Sequence, residues 1–108
     1  MPQLRFRGVE VDTVETISTA LVDELQRLLD CPRDDLTLEV VSSVYVADGQ
    51  RVAGYPFIEV LWFDRGQALQ DLTAMAITRH LQAAGVTASD IFFTPLKGCN
   101  YYENGTHF

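Results

Sequence analysis

The chain has 108 residues, 47% of them hydrophobic and 21% charged, which suits one globular domain and excludes a disordered chain. Fifteen acidic against eight basic side chains give a formal net charge of −7, which argues against nucleic acid and anionic membrane surfaces as partners. Two cysteines make no disulfide framework, and with no signal-peptide pattern or bilayer-length apolar run, the expected location is the cytoplasm.

The first half of the chain, residues 2–46, predicts two strands that flank a helix. Polar and apolar side chains alternate over residues 2–8, which is typical of a half-buried strand. Residues 36–46 are rich in β-branched side chains and predict the second strand. The pair Asp48-Gly49 predicts a tight turn directly after it.

An amphipathic helix is predicted between these strands. Asp12 stands three residues before Glu15, which is the spacing of a capping box at a helix start. Pro32 ends the helix because proline cannot continue its hydrogen-bonding pattern. The apolar stripe that follows Asp12 consists of Val14, Ile17, Leu21, Leu25, Leu28 and Leu29.

The second half, residues 55–96, has the same order of elements. A strand over 56–63 is followed by Asp64, which we expect to cap a second helix, and Gly85 is placed to end that helix. A further strand covers 90–95. The predicted apolar stripe of the second helix comprises Leu69, Leu72, Ala76, His80 and Ala83, widened by Met75, Ile77 and Leu81.

The two halves form an internal repeat. An offset of 55 residues places Ile17 on Leu72 and Asp35 on Asp90, although two ordinary β-α-β units would give a similar match by coincidence. Right-handed crossovers predict an α+β domain over 1–108, with a four-stranded mixed sheet and both helices on one face. Because strand 56–63 is apolar on both sides, we expect a second subunit to cover the other face.

These features resemble the tautomerase superfamily, which includes 4-oxalocrotonate tautomerase and macrophage migration inhibitory factor. The resemblance rests on the repeat, on a proline directly after Met1, and on a tail over 97–108 that contains Asn104-Gly105. The stretches at 4–8, 62–66 and 101–105 are more similar to an uncharacterised bacterial branch. The resemblance implies a homotrimer, an N-terminal proline base and a small carboxylic acid substrate.

Pro2 is the candidate catalytic residue that the resemblance implies. Once Met1 is removed, its secondary amine is able to take a proton from a carbon next to a carbonyl and return it elsewhere. An apolar pocket and neighbouring arginines would lower the pKa of that amine toward neutrality. The alternative interpretation is that Pro2 only begins a strand, where its missing N–H costs nothing. The sequence does not decide whether Met1 is removed.

Two arginines are candidate ligands for a substrate carboxylate. Arg65 follows the third predicted strand at the start of a helix, near the position of a substrate-binding arginine in similar tautomerases. It is equally compatible with a solvated turn. Arg5 lies on the first strand with Pro2; it either contributes to anion binding or pairs with Glu39 and Glu59 on neighbouring strands.

Three phenylalanines, Phe57, Phe63 and Phe92, are predicted to wall a pocket at a subunit interface. The sequence departs from the inhibitory factor at Cys31, where that factor has a lysine. Phe92 and Thr94 likewise fall near its site tyrosine and asparagine. The ligand is therefore expected to differ.

The sequence leaves three functions open. The first is a tautomerase-like isomerase that uses Pro2 on a small keto or enol acid. The second is a non-catalytic binding domain of the same fold, and the third is hydratase- or dehalogenase-like chemistry with Glu39 or Glu59. No cofactor or metal is expected, because the two histidines and two cysteines lack a ligand spacing; His80 is predicted in the core and His107 is a minor site candidate.

Overall fold

The computed structural model describes all 108 residues. In chain order the strands and helices are β1 (Gln3–Arg7), α1 (Val11–Leu29), β2 (Thr37–Val41), β3 (Tyr45–Ala47), β4 (Gln50–Val52), β5 (Phe57–Trp62), α2 (Gln67–Ala83), β6 (Asp90–Pro95), β7 (Tyr102–Glu103) and β8 (Thr106–His107). Short 3₁₀ turns cover Arg33–Asp35 and Gly98–Asn100. Neither helix combines the length and apolar character that a bilayer span requires.

A four-stranded sheet in the order β2-β1-β5-β6 is the centre of the fold. Each β-α-β unit pairs its own strands in parallel, β1 with β2 and β5 with β6. The two units meet through the antiparallel pair β1 and β5. The predicted α+β class and mixed sheet are therefore confirmed.

The hydrophobic core lies between one face of the sheet and the two helices. Alternate strand residues point into it, including Leu4, Phe6, Val60 and Trp62. The apolar stripe of α1 supplies the opposing side, and its buried members are Val14, Ile17, Leu21, Val22, Leu25 and Leu29. Sixteen buried side chains form this one contiguous cluster, so both repeats contribute to a single core.

The other face of the sheet has no helix on it, and we call it the open face. Its rows of side chains follow the strand register: Glu39, Arg5, Glu59 and Phe92 form one row across the four strands. Phe92 is 59% exposed on this face. Both helices therefore lie on one face of the sheet, as predicted, and the cover of the open face by a second subunit stays a prediction.

Two predicted boundaries in the first repeat are wrong. Helix α1 begins at Val11, its N-cap is Glu10, and no side chain caps it, so Asp12 and Glu15 do not form a capping box. The helix starts early because Gly8, at φ +71°, turns the chain sharply just before it. The strand predicted over 36–46 ends at Val41, and a separate hairpin of β3 and β4 follows around the predicted turn at Asp48-Gly49.

The second helix also differs from its prediction. Asp64 does not occupy the N-cap position, which belongs to Gly66; its carboxylate instead accepts the Gly66 N–H at 2.8 Å. The buried side chains of α2 are Thr73, Ala76, Ile77 and Leu81. Leu72 and Met75, predicted to face the core, are 46% and 61% exposed. Thr73 is tolerated in the core because its hydroxyl donates to the Leu69 carbonyl, and Gly85 ends the helix at φ +94° as predicted.

Candidate active site

The predicted catalytic proline lies at the end of the sheet where β1 and β2 begin and β5 ends. Pro2 is less than 2% exposed, and its carbonyl accepts the Thr37 N–H at 3.2 Å. Its ring lies two residues before Leu4 and so on the helix side of the sheet. With Met1 in place, the nitrogen of Pro2 is an amide and has no basic lone pair.

Arg65 is brought to the same end of the sheet by the turn between β5 and α2. Its Nη1 donates to the Leu29 carbonyl at 2.6 Å, at the C-terminus of α1. Its Nε is buried and has no hydrogen-bond partner. An unpaired buried guanidinium N–H is costly, because it has lost its hydrogen bond to water without gaining another.

The N-terminal amine and Arg65 interact electrostatically. Partial burial lowers the pKa of the Met1 amine, and the positive charge of Arg65 lowers it further. The neighbouring Asp35 and Cys31 oppose this shift. The amine, the guanidinium, the thiol and one carboxylate therefore share a small region at the starts of β1 and β2.

Cys31 lies in this region and interacts electrostatically with Arg65 and Asp35. Burial raises the pKa of its thiol, and the nearby Arg65 charge only partly offsets the effect. A thiol shifted in this direction stays protonated at neutral pH and is a poor nucleophile. In the sequence, Cys31 is marked only by its departure from the family pattern, and nothing indicates that it lies beside Arg65. Asp35 was not among the predicted site residues, and its repeat match with Asp90 was the available signal.

Arg5, the second candidate ligand for a substrate carboxylate, lies apart from Pro2 and Arg65. Arg5 lies on the open face, with Nε 3.0 Å from Glu39 and Nη1 3.8 Å from Glu59. The expected ion pairing of Arg5 with strand glutamates is confirmed, although its Nε does not make an aligned hydrogen bond. Glu59 also accepts the Thr94 hydroxyl at 3.0 Å. Within one chain, these carboxylates and the ring of Pro2 lie on opposite faces of the sheet.

The three predicted wall residues are not brought together within one chain. Phe63 lies near Arg65, but Phe57 is at the opposite end of β5 and pairs with Arg7 of β1. Phe92 lies midway along β6 on the open face. Phe57 and Phe92 can contribute to a pocket around Pro2 only if they come from a neighbouring copy.

The C-terminal tail packs against Phe63. The rings of Phe63, Tyr101 and Phe108, which we call the tail cluster, have centroid separations of 5.3, 5.5 and 4.9 Å. The β1–β5 register ends at the Gln3–Leu61 pair, so Met1 and Phe63 both lie beyond it at the same end of the sheet. Tyr101 and Phe108 were not among the predicted site residues, and the aromatic spacing of the tail was the only signal for them.

A cleft of about 520 Å³ lies at the opposite end of the sheet. It is formed by the β1–α1 turn, the end of β2 and the β3–β4 hairpin, and it includes Val9, Val41, Ser43, Tyr45 and Val52. None of the predicted site residues lines it. Arg5 and Glu39 instead line a second cleft, of about 340 Å³, together with Gln3 and Thr37 on the open face.

This sheet, the repeat and the N-terminal region define a tautomerase-like fold. The chain is similar to a macrophage migration inhibitory factor-like protein from Entamoeba histolytica (17% identity, 99% and 98% of the two chains covered, TM-score 0.71). It is also similar to a fused 4-OT solved as an asymmetric trimer (10% identity, 97% and 94% covered, TM-score 0.79). At these identities the similarity shows the fold, and it confirms the resemblance at that level.

The chain belongs to the family described as Domain of unknown function (DUF1904), whose model matches residues 1–107. A crystal structure of a DUF1904 domain from Sebaldella termitidis is 39% identical, and each chain is covered completely, with a TM-score of 0.92. A comparison with functionally curated proteins finds no match.

Proposed function

We propose that this protein is a tautomerase-type isomerase that moves a proton on a small 2-oxo or enol carboxylic acid. Pro2, freed by removal of Met1, is the general acid and base, and Arg65 binds the substrate carboxylate. The observation that carries this proposal is the buried, unpaired Nε of Arg65 within electrostatic reach of the N-terminal amine. A carboxylate bound to this guanidinium pairs with its charge and holds the carbon next to the substrate carbonyl near the amine.

The proposed step uses the free electron pair of the Pro2 amine. The nitrogen takes a proton from the carbon next to the carbonyl, the C–H electrons form the C=C bond, and the carbonyl oxygen takes up the negative charge. The resulting ammonium returns the proton to that oxygen or to a different carbon. For this the amine must be unprotonated near pH 7, so its pKa must lie at or below that of an ordinary α-amino group, about 8.

The surroundings of Pro2 favour a lowered pKa. After Met1 is removed, the amine lies on a residue that is itself buried, whereas the Met1 amine is only partly buried. Burial and the charge of Arg65 both disfavour the ammonium form. Both effects already lower the pKa of the Met1 amine, one residue further out.

The active form is proposed to be a homotrimer that covers the open face. The support is the missing second layer over this face, and the fused 4-OT of similar fold that has been solved as a trimer. In such an assembly, Phe57 or Phe92 of one copy can face the Pro2 region of the next. The assembly also buries the row of Arg5, Glu39 and Glu59 at an interface.

A non-catalytic binding domain is the second candidate, and one observation favours it. Met1 is half-buried beside Arg65, and while it remains attached Pro2 is an amide without basicity. A chain that keeps Met1 retains the anion-binding guanidinium but has no proline base.

The test is covalent labelling of the natively processed protein with 2-oxo-3-pentynoate, a compound that inactivates another protein of this fold. A free Pro2 amine adds across the alkyne, so the chain gains the mass of one reagent molecule. The control is the same chain with a glutamate inserted between Met1 and Pro2, which keeps the methionine and leaves the proline nitrogen as an amide.

Labelling of Pro2 in the processed chain but not in the control supports the proposal. A ¹⁵N-proline titration must then show an amine pKa below about 8. Retention of Met1 in the purified protein, or a Pro2 amine that is never labelled, overturns the proposal and favours the binding domain.

A further inference from the structure

The C-terminal tail is ordered by backbone hydrogen bonds. The Phe108 N–H donates to the Tyr101 carbonyl at 3.0 Å, and the Tyr101 N–H donates to the Gly98 carbonyl at 3.0 Å. A Cβ on Gly98 would lie 3.3 Å from the Phe108 carbonyl oxygen, so the start and end of this loop are in close contact. The tail therefore holds Tyr101 and Phe108 in fixed positions.

Both rings contact Phe63, which begins the turn that carries Arg65. β5 ends at Trp62, so no strand pairing holds Phe63 itself. On the far side of the turn, Gly66 is fixed by the Asp64 carboxylate at 2.8 Å. The tail cluster thus packs against the beginning of this turn, and the Arg65–Leu29 hydrogen bond anchors the turn on the α1 side.

We propose that Tyr101 and Phe108 are positioning residues, which hold Phe63 and thereby fix the guanidinium of Arg65 where it binds the substrate carboxylate. This inference rests on the proposed function for the identity of the ligand. The position of Arg65 itself is independent of it. Neither tail residue is proposed to touch the reacting atoms.

The test compares Phe108→Ala, Phe108→Tyr and the control Tyr102→Ala. Tyr102 is 62% exposed, and its ring packs edge-on against His107 rather than against the tail cluster, so we expect its loss to leave that cluster unchanged. Labelling of Pro2 by 2-oxo-3-pentynoate gives two constants, the half-saturating concentration of reagent and the maximal rate. We expect Phe108→Ala to raise the half-saturating concentration about tenfold with little change in the maximal rate, because only carboxylate positioning is lost. Phe108→Tyr restores the wild-type value.

A second measurement does not depend on catalysis. The Arg65 Nε–H is buried, so its NMR signal should exchange slowly with water in the wild type. Phe108→Ala is expected to speed this exchange at least tenfold, and Tyr102→Ala to leave it unchanged. Equal exchange in both variants overturns the positioning role. Faster exchange in Phe108→Ala together with unlabelled wild-type Pro2 supports the positioning role and rejects the proline mechanism.

Discussion

Arg65 Nη1 lies 2.6 Å from the carbonyl oxygen of Leu29, the last residue of α1. A residue of the second repeat therefore satisfies a terminal carbonyl of the first helix, which would otherwise lack a partner. The positive charge also lies at the negative end of the helix dipole. This contact joins the two repeats at the point where the chain begins.

Replacing Arg65 with alanine should change both stability and the N-terminal amine. We expect a loss of about 1–2 kcal/mol in the free energy of unfolding, since a charged hydrogen bond to Leu29 disappears. The pKa of the N-terminal amine should rise, because the Arg65 charge lowers it in the wild type. Urea unfolding and an NMR titration of the amine measure the two effects.

Two matched variants control this prediction. Arg65→Lys keeps the charge, so it should preserve most of the pKa shift of the amine while losing part of the stability. Arg7→Ala removes an exposed arginine on the same sheet and should change neither quantity. An unchanged amine pKa in Arg65→Ala would contradict the electrostatic link.

Gly8 is the glycine whose substitution we expect to destabilise the fold most. It has φ +71°, and a Cβ there would lie 2.4 Å from the Tyr55 carbonyl oxygen. Gly8→Ala should therefore cost about 3 kcal/mol or more, or prevent folding, because strain and a backbone clash combine. Gly49→Ala is the control: its φ is +75° but the space around it is empty, so only about 1 kcal/mol is expected. Similar thermal unfolding midpoints for the two variants would contradict the expected difference in their stability.

Glu24 is predicted to contribute acid-sensitive stability. Hydrogen bonds from Arg79 and His80 on α2 lower its pKa from 4.5 to about 2. A carboxyl group with a lowered pKa stabilises the fold above its unfolded-state value of 4.5, and this contribution is lost as the pH falls toward 2. We expect the contribution to be only about 1 kcal/mol, because Arg79 is 61% exposed and solvent screens the pair.

The measurement is urea unfolding of Glu24→Gln and wild type at pH 7 and pH 3. The variant should be less stable at pH 7, and the difference should shrink at pH 3. Glu15→Gln, on an exposed site of α1 without an ion pair, should follow the wild type at both pH values. A difference that is the same at pH 3 and pH 7 would argue against the ion-pair origin.

Phe92 should matter for assembly. A charge at this position on the open face should prevent a second copy from covering the sheet, so Phe92→Glu is expected to dissociate the proposed trimer into monomers. Met75→Glu is the control, because Met75 is similarly exposed, at 61%, but lies on α2 outside the sheet. Sedimentation equilibrium measures the oligomeric state of each variant. A trimeric Phe92→Glu protein would falsify the proposed interface.

Local patterns predicted most of the fold. The structure confirms three such patterns: the alternation in β1, the apolar stripe of α1 and the helix end at Gly85. Each depends only on residues that are close together in the sequence. The predicted apolar stripe of α2 was wrong because apolar residues occur all around this helix. Only packing against α1 and the sheet decided that Thr73 rather than Leu72 faces inward.

The candidate site was less predictable. Pro2 and Arg65 were found through a family resemblance, and the chain alone gave no reason to join them. Phe57, Phe63 and Phe92 were grouped by residue type, whereas the strand register spreads them along and across the sheet. The tail cluster was missed because its rings lie about 40 residues from Phe63 in sequence.

The sequence by itself determined the order of elements, their period and the repeat, because these depend on steric preferences and hydrophobic spacing that act over a few residues. Only the tertiary structure placed Arg65 against Leu29, the tail against Phe63 and the N-terminal amine near Arg65. Such contacts join residues that are distant in sequence, and their geometry is set by strand register and by the packing of the whole core.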